Sequence, residues 1–152
     1  LASPHVKYNQ HLFDIIEVLE KNNLSVVPVL DEENHYKGVI TSRKLMYTIG
    51  RSATIQSVGG VIVLEMHHHD YSLTEIASII ESNDAKILSS YIISTPDSKN
   101  IEVTLKLNKQ DITAIIKDFE RHEYTVSASY KEEDSDNDFL ERYESLMRFL
   151  NP

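Results

Sequence analysis

Between Ile101 and Leu107 the chain reads IEVTLKL, with aliphatic side chains at 101, 103, 105 and 107 and polar ones at 102, 104 and 106. Successive strand residues point to opposite faces, so this stretch fits a strand with one face in a core and the other open. Tyr124, Val126, Ala128 and Tyr130 repeat the pattern against Thr125, Ser127 and Ser129. A sheet of this kind needs helices over its apolar side. Two segments supply them: Leu73, Ile76, Ala77 and Ile80, then Ile112, Ile115, Ile116 and Phe119, recur at helical spacing. The second helix is expected to begin at Asp111, and SLTE (Ser72 to Glu75) fits a capping box for the first.

GVIVLEM, from Gly60, reads as a strand buried on both faces. KILSSYIIS reads as the next strand, joined to IEVTLKL by the hairpin turn TPDSKN. The order over residues 60–131 is β-α-β-β-α-β, the ferredoxin-like arrangement. Ahead of it, Leu12, Ile15, Ile16 and Leu19 mark a helix that Asn22 and Asn23 stop. LSVVPVLD and GVIT are short strands around the turn DEENHYKG, with Pro28 suggesting an edge or a bulge, and SRKLMYTIG is a helix closed by Gly50. Residues 1–50 thus form a β-α-β-β-α unit. Residues 51–59 read as a linker, with a hinge at Gly59-Gly60. Residues 132–152 hold an acidic run and a helix whose Phe139, Tyr143, Leu146, Met147 and Leu150 form an apolar stripe. That stripe is expected to dock on its own sheet or on a partner chain. The fold class is α+β.

Composition narrows the function. A net charge of −9 opposes binding to nucleic acid or to anionic lipid. With no cysteine there are no disulfides, thiolate metal sites or cysteine nucleophiles, which agrees with a cytoplasmic setting. Apolar runs of four or five residues fall short of the roughly 20 that a membrane helix needs. Leu1 in place of Met suggests a piece of a longer chain. No nucleophile elbow, phosphate loop or zinc-protease motif is present, so no catalytic residues are assigned and no enzyme is expected.

Residues 5–50, carried by HLFDIIEVLEKNNLSVVPVLDEENHYKGVITSRKLM, resemble a single cystathionine β-synthase (CBS) motif. The matching features are the helix, the P-V-x-D strand end at Pro28 to Asp31 and the G-h-h-T strand at Gly38 to Thr41. Residues 60–131 look like an ACT or ACT-like domain, and the combination is similar to small bacterial CBS-domain proteins. The resemblance implies a half-site: two CBS motifs pack together and adenine nucleotides lie between them. The second motif would come from upstream sequence or from a second chain as a homodimer. Carried over by residue, Val26, Val27 and Pro28 would flank a base and Thr41 would approach ribose or phosphate. The family's ribose-binding Asp falls at Lys44, which has no acceptor for a diol but suits a phosphate. His5 stands where the family often shows Thr. ATP, ADP, AMP or S-adenosylmethionine is the implied ligand class. In the ACT-like part the implied effector loop is His69, Asp70, Tyr71 and Ser72, with Tyr71 or Ser72 near a position that is often Gly in amino-acid binders.

The expected function is therefore a non-enzymatic regulatory module that senses a small effector. Two alternatives stand beside it. One is a structural dimerisation module with no ligand. The other is a metal site at His67, His69 and Asp70: adjacent strand residues point apart, so without a turn His68 would be excluded.

Overall fold

The computed structural model describes residues 3–94, 96–131 and 135–151, with backbone alone over 135–142. The chain divides into two compact units, Leu1–Gln56 and Ser57–Pro152. Both are mixed α and β. Among the described residues no helix is long and apolar enough to cross a membrane.

The first unit runs β1 (Val6–Lys7), α1 (Leu12–Lys21), β2 (Val26–Leu30), β3 (Tyr36–Thr41), α2 (Ser42–Gly50) and α3 (Ala53–Gln56). Helix α1 starts at a reciprocal box that its sequence disguises, because the cap is a histidine. His11 Nδ1 accepts from Phe13 N at 3.1 Å, and Asp14 Oδ2 accepts from His11 N at 3.1 Å. It ends where Asn22 Nδ2 donates to Val18 O at 2.8 Å and Asn23 turns left-handed at φ 50°. Gly50 lies within α2, and Arg51 is the cap residue. The sheet order is β1-β2-β3, parallel then antiparallel. Pro28 therefore sits in the middle strand rather than at an edge. It is tolerated because β1 pairs only with Val29 and Leu30, which leaves Pro28 with a single neighbouring strand. The core is small: Val6, Ile15, Leu19, Val27 and Leu45.

Asp31 organises the turn between β2 and β3. Its Oδ1 accepts from His35 N at 2.8 Å and Glu33 N at 3.0 Å, and Lys37 Nζ lies 3.2 Å from Oδ2. The backbone hydrogen bond from His35, with the Lys37 contact, holds the Asp31 carboxyl below its ordinary pKa despite partial burial. A carboxylate with a depressed folded pKa contributes stability above its unfolded value, and that stability is lost as pH falls through the folded value. Asp31→Asn should therefore lower Tm at neutral pH by an amount that shrinks towards zero as the medium is acidified below pH about 4. A Tm difference independent of pH would show that the charge of Asp31 is immaterial to the turn.

The second unit runs β4 (Val61–His67), a single 3-10 turn (His68–Asp70), α4 (Leu73–Ser82), β5 (Ile87–Ser94), β6 (Asn100–Leu107), α5 (Thr113–Arg121), β7 (Thr125–Tyr130) and α6 (Ser135–Leu150). The sheet is antiparallel in the order β5-β6-β4-β7, a split β-α-β pattern. The alternation of β6 reads out as expected: Ile101, Val103, Leu105 and Leu107 are buried under α4 and α5, with Ile76, Ile80, Ile115 and Phe119 opposite them. Strand β4 differs from expectation. Ile62, Leu64 and Met66 are buried while Glu65 is exposed, so only one face is covered. Helix α5 begins at Thr113, with Asp111 accepting from Thr113 N at 3.1 Å just before it.

The stretch expected to be a linker contains α3, and the expected hinge is clamped. Gly59 and Gly60 are buried in the second unit. Gly60 N donates to Lys109 O, and Leu107 N donates to Gly60 O, both at 2.9 Å. A Cβ on Gly59 would lie 1.8 Å from Leu107 O. Close approach of two backbones, not flexibility, is what these glycines provide.

Candidate functional site

Strands β2 and β3 position the candidate nucleotide residues. The register pairs Val26 with Thr41, Val27 with Ile40 and Pro28 with Val39. Partners across a ladder share a face, so Val26, Pro28, Val39 and Thr41 lie together and Val27 lies on the other side. Val26 is 44% and Val39 54% exposed, while Val27 is wholly buried in the core. The expectation that Val26 and Val27 both flank a base is thus corrected by strand alternation. Val39 takes the place of Val27 on the open face. Its signal was present in the alternation of GVIT but needed the register to be read.

Thr41 is the N-cap of α2: its Oγ1 accepts from Lys44 N at 3.1 Å. The hydroxyl retains its own proton for a ligand oxygen. Lys44 is exposed on the first turn of α2, and its Nζ lies 5.1 Å from the centroid of the Tyr47 ring. Arg51 crosses the same ring at 5.5 Å and donates to Tyr47 Oη at 2.8 Å. Lys44 and Arg51 thus hold positive charge beside one aromatic ring, in a chain of net charge −9. His5 Nδ1 lies 3.0 Å from Ser3 O.

Helices α1 and α2 leave an apolar groove of about 530 Å³ between them, lined by Ile16, Leu19, Leu24, Leu45, Met46 and Ile49. Met46 is 69% exposed within it. Periodicity places Ile16 on the buried face of α1; it lies on the rim of this groove instead.

In the second unit the expected effector loop serves the fold. Tyr71 packs against the core, and Ser72 Oγ caps α4 by accepting from Glu75 N at 3.4 Å. The reciprocal half of the expected capping box is replaced, because Glu75 Oε2 accepts from Tyr124 Oη at 3.2 Å. Burial, then the Glu75 contact, raises the Tyr124 pKa. Asp70 borders a polar cavity of about 370 Å³ shared with Glu65, Glu75, Glu123 and His122. Four carboxylates repel the carboxylate of an amino acid. The 3-10 turn gathers His67, His68 and His69, and Asp70 is outside this group. On α6, Tyr143, Leu146, Met147 and Leu150 are exposed, so that part of the stripe does not dock on the chain's own sheet. The Phe139 side chain lies outside the described residues.

The family model of the CBS domain matches residues 3–51. CBS domains generally act as regulatory, ligand-sensing modules, and the match covers most of the first unit. The match ends before the second unit begins. No curated protein matches the chain.

Proposed function

We propose that the chain is a non-enzymatic regulatory protein of the cytoplasm whose CBS unit binds an adenine nucleotide with a second CBS motif, and whose ACT-like unit takes part in assembly as a homodimer. The observation that carries this reading is the open face of β2 and β3. There two exposed valines, Val26 and Val39, share a face with Thr41, whose hydroxyl caps the helix that carries Lys44 on its first turn. An adenine ring suits the valines, and a phosphate suits Lys44, which acts as a point charge where a carboxylate would have held a ribose diol.

A second motif is needed on physical grounds. Five buried side chains make a thin core for a unit of this size, and the groove between α1 and α2 leaves Met46 exposed and Ile49 half-covered. Effector binding would then act by favouring one arrangement of the paired motifs.

Thermal denaturation of the full chain with AMP, ADP, ATP and S-adenosylmethionine tests the reading. A ligand at 100 times its Kd should add about 2.7 kcal/mol. Lys44→Ala should weaken ATP and ADP by about tenfold or more, the loss of one charge-assisted contact, and leave S-adenosylmethionine nearly unchanged. A panel without any shift would remove the nucleotide reading. It would favour assembly without a small ligand, which the uncovered stripe at Tyr143, Leu146 and Leu150 supports.

A further inference from the structure

We propose that His67, His68 and His69 form a binding site for one borderline divalent cation of the Zn²⁺, Ni²⁺ or Cu²⁺ class. The site stands in the second unit and is independent of the nucleotide reading. The juxtaposition is geometric. His67 ends β4, and its alternation with Met66 and Leu64 turns its side chain to the open face of the sheet. The chain then tightens into the 3-10 turn, which brings the next two imidazoles alongside instead of sending His68 to the opposite side as an extended strand would. The ring centroids of His67 and His68 are 4.7 Å apart, those of His67 and His69 5.1 Å, and those of His68 and His69 3.9 Å. One ligand nitrogen from each ring lies within 4.8 Å of the others.

Hydrogen bonding prepares one of the three rings. His68 Nδ1 donates to Lys99 O at 3.1 Å, which fixes the proton on Nδ1 and leaves Nε2 as a bare lone pair. His68 N donates to the same carbonyl at 2.9 Å, so the turn is tied to the start of β6. His67 Nδ1 accepts from His69 N at 3.3 Å, a long bond that a metal can replace. None of the three rings forms an ion pair with a carboxylate among the described residues. Zinc–nitrogen bonds of about 2.0–2.1 Å require ligand nitrogens about 3.3 Å apart in a tetrahedron. Rotation of the exposed His69 ring, with release of the long bond to His67 Nδ1, narrows that gap while His68 keeps its bond to Lys99 O. Three imidazoles leave a fourth position for water or for an outside ligand, and the absence of cysteine removes the competing soft donors.

The test uses the full chain without any affinity tag, stripped with a chelator and titrated calorimetrically with Zn²⁺ and with Ni²⁺. The expected result is one ion per chain. His68→Ala should weaken binding at least tenfold, and the triple change His67→Asn, His68→Asn, His69→Asn should abolish it, while His35→Asn with His122→Asn leaves it intact. Unaltered affinity in the triple variant, or no binding to the stripped chain, overturns the proposal. Should the triple variant fail to fold, Co²⁺ added to the unmodified chain decides. Intense visible bands of a four-coordinate ion support the site, and the pale spectrum of a six-coordinate surface ion overturns it.

Discussion

Gly59→Ala is expected to destabilise the second unit by about 3 kcal/mol or more, a large part of the stability of an ordinary domain. The added Cβ would meet Leu107 O at 1.8 Å and Leu107 C at 2.9 Å. These are backbone atoms of a central strand, and no rotamer change relieves the clash. Gly60→Ala provides the contrast. Its Cβ would meet Ile112 Cγ2 at 2.7 Å and Ile112 Cδ1 at 2.9 Å, a side chain that can rotate, although Tyr130 O waits at 3.2 Å. About 1–3 kcal/mol is expected there. Urea denaturation followed by hydrogen exchange in β4 and β6 measures both. Were Gly59→Ala as stable as the unmodified chain, the clamped description of these glycines would be wrong and the hinge reading would return.

Phe119→Ala should remove about 3–5 kcal/mol from the same unit. The ring is fully buried beneath the sheet and meets the Tyr124 ring edge-on, with centroids 5.4 Å apart at 75°. Its loss leaves a cavity bounded by β-branched and aliphatic side chains that cannot collapse without shifting α5. Because the chain forms two compact units with separate cores, protection of amides in α1 and β2 should persist while that of β6 and α5 falls. A uniform loss of protection through both units would show that they do not unfold separately.

Most of the secondary structure was legible because period carries burial. IEVTLKL and the Ile112–Phe119 series state on their own which side chains enter the core, and the α1-β2-β3-α2 order of the first unit follows from similar local signals, whereas the two-residue β1 leaves no period to read. The misreadings share a cause. GVIVLEM lacks a polar residue at every second position, so composition suggested two buried faces, where a single helical layer leaves Val61 and Val63 half-covered. Pro28 suggested an edge or a bulge; the register shifts between Val29 and Leu30, and the shortness of β1 lets the proline sit in a middle strand. Gly59-Gly60 is chemically indistinguishable from a hinge until the strand that presses on it is known.

The candidate sites divide in the same way. The residue types were visible: Thr41 after a G-h-h strand, Lys44 in place of an acid, and three consecutive histidines. Which of them meet was not. Val39 joined Val26 through the register, Val27 left for the core, Tyr71 and Ser72 were taken by the fold, and His68 joined the other two histidines through a tight turn.

The amino-acid sequence by itself settled where helices and strands run and which chemistry is available, because propensity, periodicity and charge are properties of neighbours along the chain. Register, the direction of the turn after His67 and the approach of Leu107 to Gly59 belong to residues distant in sequence. They were decided only when packing brought those segments together, since no local energy distinguishes one pairing from another until the cores form.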